Sequence, residues 1–281
     1  MSTISPVISA SELKKNIDNK NLLILDARVG KGIYEQYLEK HIKGAGFIDL
    51  DGDLAEIGEG AAKGGRHPLP DIDKFAHTLS QFGISGDTHI VVYDNKNGAN
   101  AAARAWWMIK AFGIENVQIL DGGIQAAEQN GIEFSSGKEE FVTAPLMQPQ
   151  HWKFPLSDIE KVEKGLKDNS ATVIDVRDAY RYKGESEPID LIAGHIPGAI
   201  NIPFSENLDE KGHFLSPEAL KEKYEKLLAG KPENLIIHCG SGVTACHTIL
   251  ALDLAGFKIP DLYVGSWSEW SRRDKEIAKD I

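Results

Sequence analysis

The sequence of this chain contains the same short motifs twice, in the same order and at a nearly constant separation. Such a repeat means that one structural unit is built twice, so it restricts the fold more than any other feature of the sequence. The matched pairs are LLILDAR (22–28) with TVIDVR (172–177), HIKGA (41–45) with HIPGA (195–199), HIVVYD (89–94) with LIIHC (235–239), and LDGG (120–123) with YVGS (263–266). We therefore predict a duplicated domain, with copies at residues 1–130 and 156–281.

Each copy alternates short runs of Val, Ile and Leu with stretches of helical periodicity. This alternation predicts an α/β fold in which a parallel sheet carries helices on both faces. Helix starts are predicted at Asp71, at Ser157 and at Ser216, where Pro217 suits the first helical position. Residues 131–155 are rich in Gly, Ser and Pro and show little periodicity, which predicts a linker between the two domains.

The chain has 281 residues, of which 42 are acidic and 31 basic, and its net charge of −11 argues against nucleic-acid or anionic-membrane partners. Its N-terminal residues lack the apolar core of a signal peptide, and no apolar run approaches the ~20 residues that span a bilayer. Only two cysteines occur, too few for a disulfide framework, so we expect a cytoplasmic protein in a reducing compartment. No cluster of metal ligands and no nucleotide-binding motif is found, so no cofactor is expected.

The loop after the segment LIIH carries the most informative chemistry, because it places Cys239 directly before the sequence GSGVT. A buried strand would deliver this cysteine to the carboxyl edge of a parallel sheet, two glycines would let the backbone curl, and a helix would begin immediately afterwards. Backbone N–H groups and the positive end of the helix dipole would then favour the nucleophilic thiolate and stabilise a second sulfur bound to it. The alternative is an inert cysteine in the core, which is what we expect of Cys246.

Taken together, the repeated motifs and the CGSGVT loop resemble the two-domain rhodanese family, and within it the sulfurtransferases that act on 3-mercaptopyruvate. The similarity covers nearly the whole chain and includes RAWWMIKAFG (104–113) and GSWSEW (265–270). The resemblance implies an inactive first copy and a catalytic second copy. It further implies a persulfide on Cys239, release of pyruvate, and transfer of the sulfur to a thiol, a thioredoxin-like protein or cyanide. The residues agree, because the counterpart of Cys239 in the first copy is Asp94, which cannot carry sulfur.

The resemblance also implies roles for residues that match the family pattern. Arg181 matches an arginine that holds the substrate carboxylate, a task suited to a planar bidentate donor. The proton relay of the mercaptopyruvate enzymes would here consist of Ser241, His67 and Asp51. The substrate loop would add Gly240, Gly242, Val243 and Thr244. The alternatives are a surface salt bridge for Arg181, a solvent-facing loop position for His67, and a turn for Asp51.

Two features bear on the choice of sulfur donor. The thiosulfate enzymes of the family carry CRKGVT, whose two cations suit a dianionic donor, whereas this chain has Gly240 and Ser241 in their place. The loop therefore favours 3-mercaptopyruvate. Some mercaptopyruvate enzymes, however, have a second substrate arginine where this chain has Ile189, in the segment EPID. Thiosulfate therefore remains the alternative donor.

Two other functions are disfavoured. A rhodanese-like fold also supports cysteine phosphatases, but these need an arginine in the loop at the position of Ala245 to bind the phosphoryl oxygens. A non-catalytic interaction module would have no use for Cys239, Ser241 and Arg181 together. The remaining conspicuous residues are assigned structural roles, as ion pairs or core residues: Asp26, Arg28, Asp175, Arg177, His41, His195, Trp106, Trp107, Trp267 and Trp270.

Overall fold

The structure is a computed structural model that describes residues 4–148 and 151–280. The described residues form two compact units. Unit 1 takes the residues up to Ala55 together with Pro70–Lys153 and Lys211–His213, and unit 2 takes Glu56–Leu69, Phe154–Glu210 and the residues from Phe214 onward. The segment 56–69, which lies inside the first predicted copy, thus belongs to unit 2.

Each unit is built on a five-stranded parallel sheet. The strands of unit 1 are β1 (Val7–Ile8), β2 (Leu22–Asp26), β3 (His41–Ile42), β4 (Gly46–Phe47), β5 (His89–Tyr93), β6 (Val117–Leu120) and β7 (Phe134–Ser135). Its sheet has the order β1-β6-β5-β2-β4, while β3 and β7 form a separate antiparallel pair.

The five-stranded sheet of unit 2 repeats the five-stranded sheet of unit 1. Its strands are β8 (Leu156–Ser157), β9 (Thr172–Asp175), β10 (Ile200–Asn201), β11 (Leu235–His238) and β12 (Asp261–Tyr263). They are ordered β8-β12-β11-β9-β10, which is the same order as in unit 1 when each sheet is counted along the chain. The α/β fold and the duplication predicted from the sequence are therefore confirmed.

Helices connect the strands in both units. Those of unit 1 are α1 (Ala10–Asn16), α2 (Ile33–Glu39), α3 (Ile72–Gln81), α4 (Ala101–Phe112) and α5 (Gly123–Gln129). Those of unit 2 are α6 (Ile159–Lys167), α7 (Ala179–Lys183), α8 (Pro217–Leu228), α9 (Thr244–Leu254) and α10 (Ser266–Trp270), with a 3-10 helix at Phe204–Asn207. The central strands are buried along almost their whole length, which is typical of a parallel sheet covered on both faces.

Two of the three predicted helix starts are confirmed, and one is wrong. The side chain of Asp71 caps α3 and that of Ser216 caps α8, in which proline is the first residue. At the third start the capping side chain is that of Asp158, which accepts a bond from the Lys161 N–H, whereas Ser157 still belongs to β8. Ser157 does not take this position because it is still part of β8, where it pairs with Tyr263 of β12.

The structural roles assigned to the paired charged residues are confirmed. At the end of β2, Asp26 is fully buried and its carboxylate accepts bonds from Arg28. The pair at the end of β9 is the same, with Arg177 donating to Asp175 at 3.0 and 2.6 Å. A buried carboxylate needs such a partner, because an isolated charge is costly to remove from water. The four tryptophans Trp106, Trp107, Trp267 and Trp270 are also buried.

The segment predicted as a linker follows unit 1 over most of its length. It includes β7, which pairs with β3, and further along the Ala144 N–H donates to the carbonyl of Ser80. Pro149, one of the residues that suggested a linker, lies outside the described residues. Within residues 4–148 and 151–280, no helix is long and apolar enough to cross a membrane.

Candidate active site

Cys239 lies at the carboxyl edge of the unit 2 sheet, directly after β11. Its side chain is buried, with 1% exposed, and α9 begins at Thr244. Between them the backbone of Gly242 has a φ of +74°, and a Cβ at this position would lie 2.7 Å from the carbonyl oxygen of Val264. Only glycine satisfies both constraints, which explains the second glycine of the CGSG sequence.

The loop that follows Cys239 presents backbone donors that are not used within the protein. The N–H groups of Gly240, Ser241, Val243 and Thr244 donate no hydrogen bond to any residue that the structure describes. Together with the N-terminus of α9, they leave positive dipole ends beside the sulfur. This set of N–H groups, called the loop cradle below, is suited to an anion.

Unit 1 shows what occupies the equivalent loop when the cysteine is replaced. Asp94 follows β5 as Cys239 follows β11, and it is fully buried. Its carboxylate accepts four backbone N–H bonds, from Lys96, Gly98, Asn100 and Ala102, at 2.8 to 3.2 Å. Burial raises the pKa of Asp94, and the four bonds act in the opposite direction. The loop of unit 1 is therefore a cradle filled by the chain's own carboxylate.

Helix α10, which contains most of the GSWSEW motif, forms hydrogen bonds with the backbone of the Cys239 loop. The N–H groups of Trp267 and Ser268 donate to the carbonyls of Cys239 and Gly240, at 3.0 and 2.8 Å. The hydroxyl of Ser266 accepts the Cys239 N–H at 3.2 Å and donates to the carbonyl of Tyr263 at 2.9 Å. Three consecutive residues of one short helix thus fix the backbone on both sides of the thiol.

The same helix also holds the segment 56–69, which brings His67 to the loop. The Gly64 N–H donates to Glu269 at 2.9 Å, and the Arg66 N–H donates to the Ser268 hydroxyl at 3.0 Å. Nδ1 of the half-buried His67 lies 2.7 Å from the hydroxyl oxygen of Ser241. A histidine bonded to a hydroxyl in this way can exchange a proton with it.

Three arginines and two carboxylates form a cluster beside the loop. Arg181 donates to both oxygens of Glu187 and, at 3.3 Å, to Asp190. Arg66 and Arg272 donate to the same Asp190, which is completely buried, at 2.9 and 3.3 Å. A Cβ on Gly240 would lie 3.0 Å from Nη2 of Arg66 and 3.5 Å from Nη2 of Arg181, so both guanidinium groups are next to the residue that follows Cys239.

This cluster carries an excess of one positive charge. Among the residues that the structure describes, the carboxylates bonded to its three guanidinium groups are those of Glu187 and Asp190. Arg177 also reaches Glu187, but its own charge is balanced by Asp175. Burial acts to lower the pKa of Arg181, but Glu187, Asp190 and Cys239 outweigh it and raise the pKa, so the group stays charged.

The cluster also has unused hydrogen-bond donors. Nη1 of Arg181 and Nη1 of Arg66 donate to no residue that the structure describes. Guanidinium groups with free N–H groups and an uncompensated charge are suited to a carboxylate ligand. The sequence prediction included Arg181 but missed Arg66, Asp190 and Arg272. The position of Arg66 directly before His67 was the available signal.

Most of the predicted site residues belong to unit 2. Cys239, Ser241, His67 and Arg181 lie in unit 2, with the loop residues Gly240, Gly242, Val243 and Thr244. Asp51 belongs to unit 1, where its side chain is exposed and its N–H donates to Asp49 at 2.7 Å. Its role in the relay stays a prediction. Among the residues that the structure describes, no group of three His, Cys, Asp or Glu side chains is arranged to hold a metal ion.

Comparison with known proteins assigns this chain to a family. The family model of the rhodanese-like domain matches residues 9–130 and residues 158–273, one match in each copy of the repeat. The chain belongs to the rhodanese family. The resemblance stated from the CGSGVT loop and the repeated motifs is therefore confirmed, and the loop of Cys239 lies within the second matched range.

Relatives of this chain carry the names of sulfurtransferases. A probable 3-mercaptopyruvate sulfurtransferase of Pseudomonas aeruginosa is 40% identical over 274 residues, which cover 94% of each chain. A putative thiosulfate sulfurtransferase of Mycobacterium tuberculosis is 36% identical over 237 residues, which cover 84% of this chain and 81% of that protein. The structure of 3-mercaptopyruvate sulfurtransferase from Leishmania major, 28% identical, matches with a TM-score of 0.82 over 96% of this chain and 75% of that chain.

Proposed function

We propose that this protein transfers sulfur from 3-mercaptopyruvate to a thiophilic acceptor through a persulfide on Cys239. The observation that supports this donor most directly is the charge of the arginine cluster. One uncompensated positive charge matches the single carboxylate of 3-mercaptopyruvate, whereas thiosulfate is a dianion. The names of the relatives, at 35% to 40% identity over most of the chain, favour the same donor.

The first half-reaction needs no cofactor. The thiolate of Cys239 attacks the sulfur of 3-mercaptopyruvate, an S–S bond forms, and the C–S bond breaks with its electron pair passing to the enolate of pyruvate. Protonation of the enolate at carbon gives pyruvate and leaves Cys239 as a persulfide. The loop cradle then provides hydrogen bonds for the outer, anionic sulfur.

The substrate carboxylate is proposed to bind the free Nη1 groups of Arg66 and Arg181. These two guanidinium groups flank Gly240, so a carboxylate between them places the substrate sulfur toward Cys239. Arg66 thereby supplies the second cation that the sequence lacks at Ile189. Burial raises the pKa of Glu187, but its bonds with Arg181 and the backbone outweigh this and lower the pKa, so Glu187 holds Arg181 as a fixed anion.

Ser241 and His67 are proposed to move the proton of this step. Their bond of 2.7 Å allows the hydroxyl to pass a proton between the reacting groups and the imidazole. Asp51 is proposed to orient the histidine, as in the family relay. We expect Ser241→Ala and His67→Ala each to lower kcat by ~10²–10⁴-fold, with little further loss in the double variant, because the two groups act as a unit. Additive losses would contradict a shared proton path.

Mass spectrometry tests the persulfide. The full chain is incubated with 3-mercaptopyruvate alone, and the digest should contain one added sulfur atom on the peptide with Cys239. Cys239→Ser should lose both the adduct and turnover, whereas the wild type should release one pyruvate for each sulfur bound. An adduct on Cys246 instead, or pyruvate release that survives in Cys239→Ser, would refute the assignment of the nucleophile.

Thiosulfate remains the second candidate donor. One relative bears the name of a thiosulfate enzyme, and the position of the second family arginine is Ile189. Measurement of kcat/KM for both donors under the same conditions separates the candidates, and we expect the higher value for 3-mercaptopyruvate. A higher value for thiosulfate would replace the proposal by its alternative. The acceptor is proposed to be a thiol or a thioredoxin-like protein, which fits the free cysteines and a reducing cytoplasm.

A further inference from the structure

Three apolar side chains close to the active loop are exposed to solvent. Ile189 is 55% exposed, Leu191 65% and Ile192 38%. Single exposed apolar residues are normal on a protein surface, but a group of them within one short segment marks a surface that another molecule covers. These three side chains are called the 189–192 patch.

The patch is attached to the active site through its backbone and through Asp190. This carboxylate lies between Ile189 and Leu191 in sequence, and its Oδ2 would be 3.5 Å from a Cβ on Gly240. The carbonyl of Ile192 accepts the indole N–H of Trp267 at 2.8 Å. The segment is thus fixed next to the residues that support Cys239, while the patch itself remains open to solvent.

Positive charge borders the patch, although the chain as a whole carries −11. The side chains of Arg66 and Arg272 are 27% and 24% exposed, and both are held on Asp190. An apolar centre with a charged rim is the usual composition of a protein interface. The partner that fits has an apolar surface bordered by acidic groups.

We propose that the 189–192 patch docks a protein acceptor, one whose reactive thiol lies on an apolar surface flanked by acidic residues. The proposal rests on the sulfurtransferase function above, because it concerns the second half-reaction at the same cysteine. Cys239 is 1% exposed, so a thiol carried by a protein reaches its persulfide only when the surrounding surface of that protein lies against the site. A small acceptor such as cyanide enters without this contact.

The transfer step itself is balanced without another reactant. The acceptor thiolate attacks the outer sulfur, the S–S bond to Cys239 breaks, and its electron pair returns to Cys239 as the thiolate. The acceptor leaves as a persulfide. If the acceptor is a dithiol, its second thiol attacks the inner sulfur of that persulfide, which forms a disulfide and releases sulfide.

The test compares a protein acceptor with a small one in the same enzyme. The double variant Leu191→Ser with Ile192→Ser is assayed with reduced thioredoxin and with cyanide. For thioredoxin we expect kcat/KM to fall about tenfold, mainly through KM, because both substitutions remove apolar side chains from the proposed interface. For cyanide we expect a value within twofold of the wild type. Leu227→Ser, a 38% exposed leucine of α8, is the matched control and should leave both values unchanged.

Three results would overturn the proposal. One is an unchanged kcat/KM for thioredoxin in the double variant. The second is an equal loss with both acceptors, which would mean that the substitutions act on the site itself. The third is a wild-type enzyme that passes sulfur to cyanide but not to thioredoxin. None of these touches the donor half-reaction, which is followed separately by pyruvate release and by the Cys239 adduct.

Discussion

Ser266 is held in a backbone conformation that normally belongs to glycine. Its φ is +53°, it is fully buried, and its hydroxyl connects the Cys239 N–H to the carbonyl of Tyr263. The counterpart in unit 1 is Gly123, which has a φ of +59° and would place a Cβ 2.5 Å from the carbonyl oxygen of Asp94. Unit 2 thus accepts a strained serine where unit 1 requires glycine, and gains a hydroxyl that fixes the backbone of the nucleophile.

This geometry predicts an unusual order of stability for two substitutions. Ser266→Ala keeps the left-handed strain and removes the hydroxyl, so two buried backbone groups lose a partner at about 1–3 kcal/mol each. Ser266→Gly loses the same bonds but relieves strain of about 1–2 kcal/mol. We therefore expect the glycine variant to be the more stable of the two by about 1–2 kcal/mol, although alanine usually exceeds glycine at buried positions.

Thermal unfolding followed by circular dichroism measures the difference. At about 2–4 °C for each kcal/mol in a unit of this size, the glycine variant should melt roughly 2–8 °C above the alanine variant. Both should show a lower kcat than the wild type, because the N–H of Cys239 is no longer anchored. An alanine variant that melts at the same temperature as the glycine variant, or above it, would show that Ser266 is not strained and would refute the reasoning.

Three further outcomes are expected. Gly240→Arg with Ser241→Lys should raise kcat/KM for thiosulfate relative to 3-mercaptopyruvate, as measured with both donors, because it adds two cations beside the sulfur. Cys246→Ser should keep most activity in the same assay, since this thiol is fully buried and donates to the carbonyl of Gly242, a bond that a serine hydroxyl can also donate. Burial acts to raise the pKa of Asp175, but Arg177 and its other partners outweigh it and hold the pKa below the ordinary 3.8. The ionised Asp175 therefore stabilises the folded state above pH 3.8, and this stabilisation is lost as the pH falls through the lower pKa of the folded state. The free energy of unfolding in urea should thus depend less on pH in the acid range for Asp175→Asn than for the wild type.

The fold was predictable because the repeat and the strand pattern carry it in local sequence. The alternation of apolar runs and helical stretches depends only on neighbouring residues, and it predicted both sheets. The chemistry at Cys239 was equally local, since a strand, two glycines and a helix start are contiguous. Ser157 shows the limit of such reasoning. It pairs in the sheet with Tyr263, a residue distant in sequence, so it remains in β8 and Asp158 caps α6.

The arginine cluster could not be predicted, because its members meet only after folding. Arg66, Asp190 and Arg272 come from three separate segments, and no spacing in the sequence relates them. The segment 56–69 is also misleading by position, since it lies within the first repeat in sequence and within unit 2 in space. The isoleucine at position 189 therefore suggested a missing cation, whereas we propose that Arg66 supplies it from a segment distant in sequence.

The two loops together separate the effect of the cradle from the effect of the cysteine. In unit 1 a fully buried carboxylate is kept in place by four N–H bonds, with no lysine or arginine among the donors of its resolved hydrogen bonds. Backbone N–H groups of this loop type thus hold a buried carboxyl group in place, and they act against the rise in pKa that its burial causes. In unit 2 the N–H groups of the loop cradle donate to no residue that the structure describes, and the residue at the base of the loop is a thiol. The outer sulfur of the proposed Cys239 persulfide is itself an anion, and we propose that the loop cradle binds it in unit 2 as backbone N–H groups bind the carboxyl group of Asp94 in unit 1.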